Sequence, residues 1–262
     1  ENGFMAKCNV CKKDVLWSAW DGTTGLAGGV HYFLEQDIHL STYTTLTGGN
    51  VTLFLNGHTV SSDSRVFKLS SSTTLNLYDS MEDGSDIGGK LIGKGITTQE
   101  AQDEQNGTAE GGVIILWGSN VFNLYSGTLQ LAEDHNTVHY GGVLAGNGTF
   151  NMYGGKLTGG EATRAGGTMR RHGASTVTNI YGGIIENGSV TGNGGHIAAG
   201  GAGDKVNIYG GTFTGGSATG NGDDINMETN TYLTLGGKVV VNDIAIQNTA
   251  TVKKLEEGSS IG

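Results

Sequence analysis

Two stretches of the chain carry most of the side chains that could bind a charged ligand or transfer protons. They are LAEDHNTVHYGG (131–142) and GGEATRAGGTMRRHGAS (159–175). Their candidate binding residues are Asp134, His135, His139, Arg164, Arg170, Arg171 and His172. Arginine and protonated histidine donate charge-assisted hydrogen bonds to anionic groups. A local cationic cluster on an acidic chain therefore favours an anionic partner, such as a sialylated or sulfated glycan or an acidic protein patch.

A repeated phrase is expected to bring these two stretches together. It occurs as VFNLYSGTL, TFNMYGGKL, VTNIYGGII and KVNIYGGTF, with one tyrosine in each copy and 28 residues between copies: Tyr125, Tyr153, Tyr181 and Tyr209. A fixed period of this kind is typical of a solenoid, in which each repeat stacks on the next. If residues 28 apart are equivalent, Asn136 lies under Arg164. Asp134 and His135 then lie about 5 Å from the neighbouring coil.

Each repeat contains three short apolar patches, and these predict the strands of a coil. In the repeat that begins at Thr149 the patches are 150–152, Leu157 and Met169. They alternate with polar residues and are bounded by glycine pairs, as short strands are. Glycine accounts for 48 of 262 residues and proline for none, with β-forming residues between the glycines. We predict an all-β parallel β-helix of about eight coils, with the 28-residue repeat in the C-terminal half.

Alternation within the repeated phrase predicts which side chains face outward. Phe150 and Met152 are assigned to the core, and Asn151 and Tyr153 to the surface. The four tyrosines would then form a stripe about 15 Å long. Exposed aromatic rings can contact sugars or proteins, which makes the stripe a second candidate binding face. The alternative, which the regular repetition favours, is that the rings stack on one another as scaffold.

Charge and hydropathy exclude several classes of partner. The formal net charge is −10, whereas a nucleic-acid-binding protein is expected to have a basic face. No apolar run approaches the roughly 20 residues that span a bilayer. The chain opens on ENGFMAKCN, without a signal peptide, and ends without an obvious cap. We therefore expect a monomeric segment of a longer, multidomain, secreted protein.

The largest break in the repeat separates Tyr78 from Tyr125 by 47 residues and predicts an insertion at about 79–111. Eight acids against two lysines lie between positions 79 and 110. The sequence TTQE at 97–100 predicts a capping box and a short helix near 98–105, ended by the Asn-Gly pair at 106–107. The acids suit a solvated loop. The alternative is a calcium site, although the spacing differs from an EF-hand loop. No other cofactor is predicted.

The only two cysteines occur in KCNVCKK, as a CxxC pair. They could form a local thiol pair or disulfide, or contribute to a zinc site completed by His31 or His39. A redox role would require a βαβ context that the sequence lacks. We divide the chain into an N-terminal CxxC segment with a tryptophan-containing cap (1–27) and the β-helix (28–262).

Several phrases resemble the right-handed β-helix modules of large cell-surface proteins of Gram-positive gut bacteria, within the pectin-lyase-like superfamily. They are GGVHYFLEQDIHL, NVTLFLNGHTV, TLNLYDS, the repeated FNMYGG-like phrase, and the CxxC upstream of WSAW. The resemblance covers nearly the whole chain. It implies a right-handed coil and a secreted or cell-surface, adhesin-like setting. The implied partner is a host protein, such as mucin or immunoglobulin, or a glycan.

The same superfamily contains polysaccharide lyases and hydrolases, which defines the enzymatic alternative. A lyase requires a base and a cation beside a uronate, and Arg170 or Arg171 could be that base. However, the calcium-binding aspartates that the resemblance would imply are missing from the matching strands. A hydrolase requires two carboxylates, for which Asp134 with Glu133 or Glu161 is the local choice. We therefore expect a non-catalytic binding module, with a ligand-free structural stalk as a further alternative.

Overall fold

Short β-strands follow one another along the whole described chain. The computed structural model describes residues 3–8, 11–80, 86–104, 108–174, 176–237, 239–247, 249–254 and 260–261. In chain order the elements are β1 (Gly3–Lys7), β2 (Asp14–Ala19), β3 (His31–Phe33), β4 (Ile38–Leu40), β5 (Thr44–Phe54), β6 (Thr59–Ser62), β7 (Phe67–Tyr78), β8 (Lys90–Gly93), α1 (Thr98–Asp103), β9 (Ile114–Leu116), β10 (Val121–Leu124), β11 (Thr128–Leu131), β12 (Leu144–Gly146), β13 (Thr149–Met152), β14 (Lys156–Thr158), β15 (Glu161–Ala162), β16 (Met169–Arg171), β17 (Val177–Ile180), β18 (Ile184–Glu186), β19 (Ser189–Val190), β20 (Ile197–Ala199), β21 (Lys205–Ile208), β22 (Thr212–Thr214), β23 (Ser217–Ala218), β24 (Ile225–Met227), β25 (Tyr232–Leu235), β26 (Val240–Val241), β27 (Ile244–Ile246), β28 (Thr251–Lys254) and β29 (Ser260–Ile261).

The strands stack in parallel on three faces of a solenoid, which confirms the predicted all-β fold. Face 1 is the ladder β9, β12, β16, β20, β24 and β27. Face 2 is the ladder β2, β3, β10, β13, β17, β21, β25 and β28. The long strands β5 and β7 belong to both and join them into one 17-stranded sheet. Face 3 is a separate nine-stranded sheet, and β15, β19 and β23 form a small third sheet.

Side-chain alternation places the core inside the coils, as predicted. Phe150 and Met152 are fully buried, and the ring of Phe150 stacks on Phe122 of the preceding coil at 5.3 Å between centroids. Asn151 lies on the outer side and donates a 2.8 Å hydrogen bond to Asn123. Equivalent bonds join the outer asparagines of successive coils: Asn76, Asn123, Asn151, Asn179 and Asn207. The repeated asparagine therefore fixes the register of face 2.

The 28-residue register does not hold on every face. On face 2, Thr149 pairs with Val177, 28 residues further on. On face 1, Leu144 pairs with Met169, only 25 residues further on. The corner before β16 is three residues shorter than the corner before β12, and the corner after β16 (172–176) is three residues longer than its counterpart (147–148). Corners leave the stacked strands, so their length can vary while the strands stay in register.

The prediction that Asn136 lies under Arg164 is therefore wrong. The Arg164 amide donates instead to the carbonyl of His139, at 2.9 Å, and the Thr163 amide donates to Val138. Counting from the tyrosines carried the face 2 period into a corner that does not share it. As a result, Arg164 is shifted by three residues relative to the preceding coil.

The acidic insertion contains the predicted helix and docks part of it on the coils. Thr97 and Glu100 form the predicted capping box at the start of α1. Glu100 also accepts hydrogen bonds from Thr42 and Ser64, at 2.8 and 2.9 Å. The Asn-Gly pair at 106–107 and positions 81–85 of the insertion lie outside the described residues. In the described parts of the chain, no helix has the length and apolar character needed to cross a bilayer.

An antiparallel hairpin, β1–β2, precedes the first coil, and its second strand is the first rung of face 2. Trp20 is buried against the end of the core and lies 6.0 Å from the ring of Phe67. Trp17 packs on the outer side of face 2 with Cys8, Phe33 and Tyr78. The hairpin therefore covers the outer surface of the first coils, and Tyr78 is buried by it, with 3% exposure.

Candidate functional site

The seven polar residues of the two candidate stretches occupy three different environments. Arg164, Arg170 and His172 lie on the outer side of the coils near face 1, Arg171 points into the core, and Asp134, His135 and His139 lie closer to α1. The structure thus divides a group that the sequence placed together.

The most developed depression on the surface surrounds Arg170. We call it the Arg170 cleft; it has a volume of about 370 Å³ and is lined by Glu110, Tyr140, Arg170, His172 and the glycines at 173, 200 and 201. Arg170 is central in β16, where alternation between buried Met169 and Arg171 turns its side chain outward. The wall residues come from consecutive coils, because Glu110 and Tyr140 are bridge partners and Tyr140 pairs in turn with Ala165.

Two charged pairs cross the coils at this cleft. The Arg170 guanidinium binds both carboxylate oxygens of Glu228, the second at 3.3 Å. His172 Nε2 lies 2.9 Å from Glu110 Oε2. A Cβ at Gly200 would overlap both the Arg170 guanidinium and the Glu228 carboxylate, so glycine is required where this pair passes over the intervening coil.

Aromatic rings flank these pairs. The guanidinium carbons of Arg164 and Arg170 lie 5.7 and 5.8 Å from the centre of the Tyr140 ring, within the range of cation–π contacts. The Trp117 indole packs edge-on to the His172 ring at 6.1 Å. The cleft therefore offers hydrogen-bond donors, acceptors and partly exposed aromatic surface within a few coils.

Arg171 does not belong to a binding surface, which corrects its prediction as a binding residue. Its side chain is fully buried because it follows Met169 by two positions and shares its inward direction. Its guanidinium donates to Thr178 Oγ1 at 3.1 Å and to the carbonyl of Gly148 at 2.7 Å, whereas Nη1 has no partner among the described residues. Burial lowers the pKa of Arg171 to about 10, against the opposing attraction of Asp204.

Asp134, His135 and His139 form a second group, beside a depression of about 350 Å³ near α1. Lys94 donates to Asp134 at 2.7 Å, and this contact holds the pKa of the Asp134 carboxyl below its ordinary value. His135 Nε2 lies 3.6 Å from Glu161, and His139 Nδ1 lies 2.8 Å from Thr163 Oγ1. These side chains are mainly partnered with neighbouring coils.

The tyrosine stripe exists as predicted, but its ring faces are occupied. Rings of Tyr125, Tyr153, Tyr181 and Tyr209 stack successively with centroids 4.8, 5.2 and 5.4 Å apart and interplanar angles of 7 to 14°. Tyr153 and Tyr181 are each 46% exposed. A sugar that stacks on an aromatic ring needs a free face. Within the stack only edges and hydroxyl groups are offered, which favours the scaffold interpretation.

Three contributors to the cleft were not identified from the sequence: Glu110, Tyr140 and Glu228. Glu110 and Tyr140 each precede a glycine pair that leads into a face 1 strand, as the motif EGGVIIL and the motif YGGVLAG show. That shared motif was a usable signal. Glu228 carried none, because it reaches Arg170 from two rungs further along face 1.

The geometry gives little support to the proposed catalytic pairs. Arg170 chelates Glu228, which makes it a charged donor and a poor proton acceptor. Arg171 is shielded from any external substrate. Asp134 is bound to Lys94, and Glu161 faces His135. The arrangement can bind a ligand through paired donors and acceptors.

Comparison with known proteins gave no match to a family model, a curated protein or a solved structure.

Proposed function

We propose that this chain is a non-catalytic, glycan-binding module of a secreted, adhesin-like bacterial surface protein. The observation that carries the proposal is the Arg170 cleft, where two charged pairs from different coils meet in a depression of about 370 Å³. Ligand sites commonly combine a concave surface with a few fixed polar groups. The secreted setting and the adhesin-like class are supported by the sequence motifs alone.

The charge distribution favours a neutral glycan over an anionic one. Each of the two inner cations of the cleft faces a carboxylate: Arg170 faces Glu228, and His172 faces Glu110. The net charge of these pairs is close to zero, so an anionic ligand gains little from them. Sugar hydroxyl groups both donate and accept hydrogen bonds and can therefore satisfy the free valences of both partners.

A second polar group lies two rungs from Arg170 on the same ladder. Arg170 pairs with Ala198, which pairs with Asn226. The Asn226 side chain is fully buried, yet neither its amide nitrogen nor its amide oxygen has a partner among the described residues. It borders a depression of about 430 Å³ with Thr229 and Gln247. At about 4.8 Å per rung, Asn226 extends the polar surface by roughly 10 Å, a length that suits an oligosaccharide.

A glycan array tests this function. The wild-type chain is expected to bind neutral oligosaccharides, and Arg170→Met should weaken that binding by about 10- to 100-fold, because a hydrogen bond to a charged group contributes about 1.5–3 kcal/mol. Lys156→Met is the matched control, since Lys156 also pairs with a carboxylate, Glu186 at 3.2 Å, but lies on face 3.

Equal loss in both variants, or no glycan bound by the wild-type chain, would contradict the proposal. The second result is the one expected of a structural stalk. Release of reducing ends or unsaturated products from a bound glycan would contradict the non-catalytic part and support the enzymatic alternative.

A further inference from the structure

Two cysteines and a histidine converge at the N-terminal hairpin. Cys8 follows β1, Cys11 lies in the turn before β2, and His31 is the first residue of β3. Their sulfur and imidazole nitrogen atoms all lie within 4.8 Å of one another, and Cys11 Sγ is 3.8 Å from His31 Nε2. No other group of three or more cysteine, histidine or carboxylate side chains converges in this way within the described parts of the chain.

These separations are close to those of a zinc site. With Zn–S of about 2.3 Å and Zn–N of about 2.0 Å, tetrahedral angles place two sulfurs about 3.8 Å apart and a sulfur and a nitrogen about 3.5 Å apart. The observed 3.8 Å between Cys11 Sγ and His31 Nε2 differs from that value by a few tenths of an ångström. Side-chain rotation without backbone movement can supply the rest.

The turn that carries the cysteines is shaped to present both sulfurs to one point. The Cys11 amide donates to Cys8 Sγ at 3.3 Å, and the Lys12 amide donates to the Cys8 carbonyl at 2.8 Å. Lys12 adopts a left-handed conformation, with φ of 61°, which is uncommon for a residue other than glycine. A backbone donor to sulfur favours the thiolate form that binds metals.

The histidine is held in place from the neighbouring strand. His31 pairs with Trp17 in the parallel ladder, and the two rings pack edge-on with centroids 5.3 Å apart. Trp17 is itself fixed by a 3.2 Å hydrogen bond from its indole to the carbonyl of Ala6. Groups that orient a ligand in this way raise the affinity of a metal site.

We propose that Cys8, Cys11 and His31 bind a zinc ion, with water in the fourth position on the exposed side of Cys11. Two thiolates balance the charge of Zn²⁺, and this donor set is one that zinc accepts. The ion would tie the hairpin to the first complete coil. It would therefore stabilise the segment that covers this end of face 2.

The test uses the full chain, reduced and stripped of metal, and titrates it with Co²⁺ and then with Zn²⁺. We expect one metal ion per chain and a cobalt spectrum with thiolate charge-transfer bands. His31→Asn should lower the zinc affinity by at least about 10-fold, since even outer groups that orient a ligand cost that much when removed. His39→Asn is the matched control, because His39 contacts Ser61 and Asp63 on face 3 and should leave zinc binding unchanged.

A disulfide is the competing chemistry and predicts a different result. It would consume both sulfurs and would not depend on His31. Unchanged zinc affinity in His31→Asn, or no zinc bound by the reduced wild-type chain, would overturn the proposal. Protection of the wild-type thiols from alkylation by zinc, and a rise in its unfolding temperature, provide readouts that do not depend on any variant folding.

Discussion

Glu104→Gln is expected to lower the free energy of unfolding by about 3–5 kcal/mol, because it leaves a buried arginine without its counter-charge. The Arg65 side chain is completely buried, and its guanidinium binds both oxygens of Glu104 at 3.3 Å. Lys68 donates to the same carboxylate at 2.9 Å. Glu104 directly follows α1, so this pair fastens the acidic insertion to the coils. Chemical denaturation of the variant and the wild-type chain measures the difference.

The same carboxylate makes a pH-dependent contribution to stability. Burial alone would raise the pKa of Glu104, but Arg65, Lys68 and Tyr43 together hold it below the ordinary 4.5. A lowered pKa means that the contribution is fully present above about pH 4.5 and is lost as the pH falls through the folded-state pKa. The stability difference between Glu104→Gln and the wild-type chain should therefore shrink below pH 4.5.

Asp103→Asn is the control for this prediction. Asp103 is exposed on the same helix and accepts only a 2.9 Å hydrogen bond from Gln99 in its vicinity. Its replacement should change the free energy of unfolding by less than about 0.5 kcal/mol. If both variants lose equally little, the Arg65 pair does not hold the insertion in place.

Arg171→Met is expected to have the opposite effect and to raise the free energy of unfolding by about 1–4 kcal/mol. Arg171 is as deeply buried as Arg65, but no carboxylate pairs with it within ion-pair distance among the described residues. Methionine fills a similar volume without a charge. The Gly148 carbonyl keeps its bond from the Val177 amide, at 3.2 Å, so the lost hydrogen bonds are few.

The effect should also depend on pH, because burial lowers the pKa of Arg171 to about 10. The unfolded chain then binds more protons than the folded one, and the wild-type stability rises as the pH increases through that value. The advantage of Arg171→Met should accordingly narrow above about pH 10. Arg65→Met is the matched control and should be destabilising, since it leaves Glu104 buried and unpaired. A loss of stability in both methionine variants would contradict this account of Arg171.

The solenoid could be predicted from the sequence because one phrase repeats with its alternation intact. Phe150 and Met152 are buried and Asn151 and Tyr153 face outward, as alternation requires. The same rule applied to Met169 would have placed Arg171 in the core. Residue type suggested a surface arginine there and was misleading, since a long coil can bury a guanidinium that finds backbone acceptors.

The cleft was only partly predictable because it is built from corners and from side chains that cross coils. Arg170 and His172 could be selected by type, whereas their partners Glu228 and Glu110 are 58 and 62 residues away in the sequence. The period of face 2 gives no information about these contacts, since corner lengths shift face 1 by three residues. The proximity of His31 to the CxxC pair likewise depends on the hairpin register, which the sequence did not define.

Calorimetric titration of one array-selected glycan into Glu228→Gln and Tyr181→Ala tests the central claim most directly. If the Arg170 cleft binds the glycan, Glu228→Gln should weaken binding by at least about 10-fold, because Arg170 loses the partner that orients it. Tyr181→Ala, in the stacked stripe of face 2, should leave the affinity within about twofold of the wild-type value. Full affinity in Glu228→Gln together with lost binding in Tyr181→Ala would contradict the account and move the site to the tyrosine stripe.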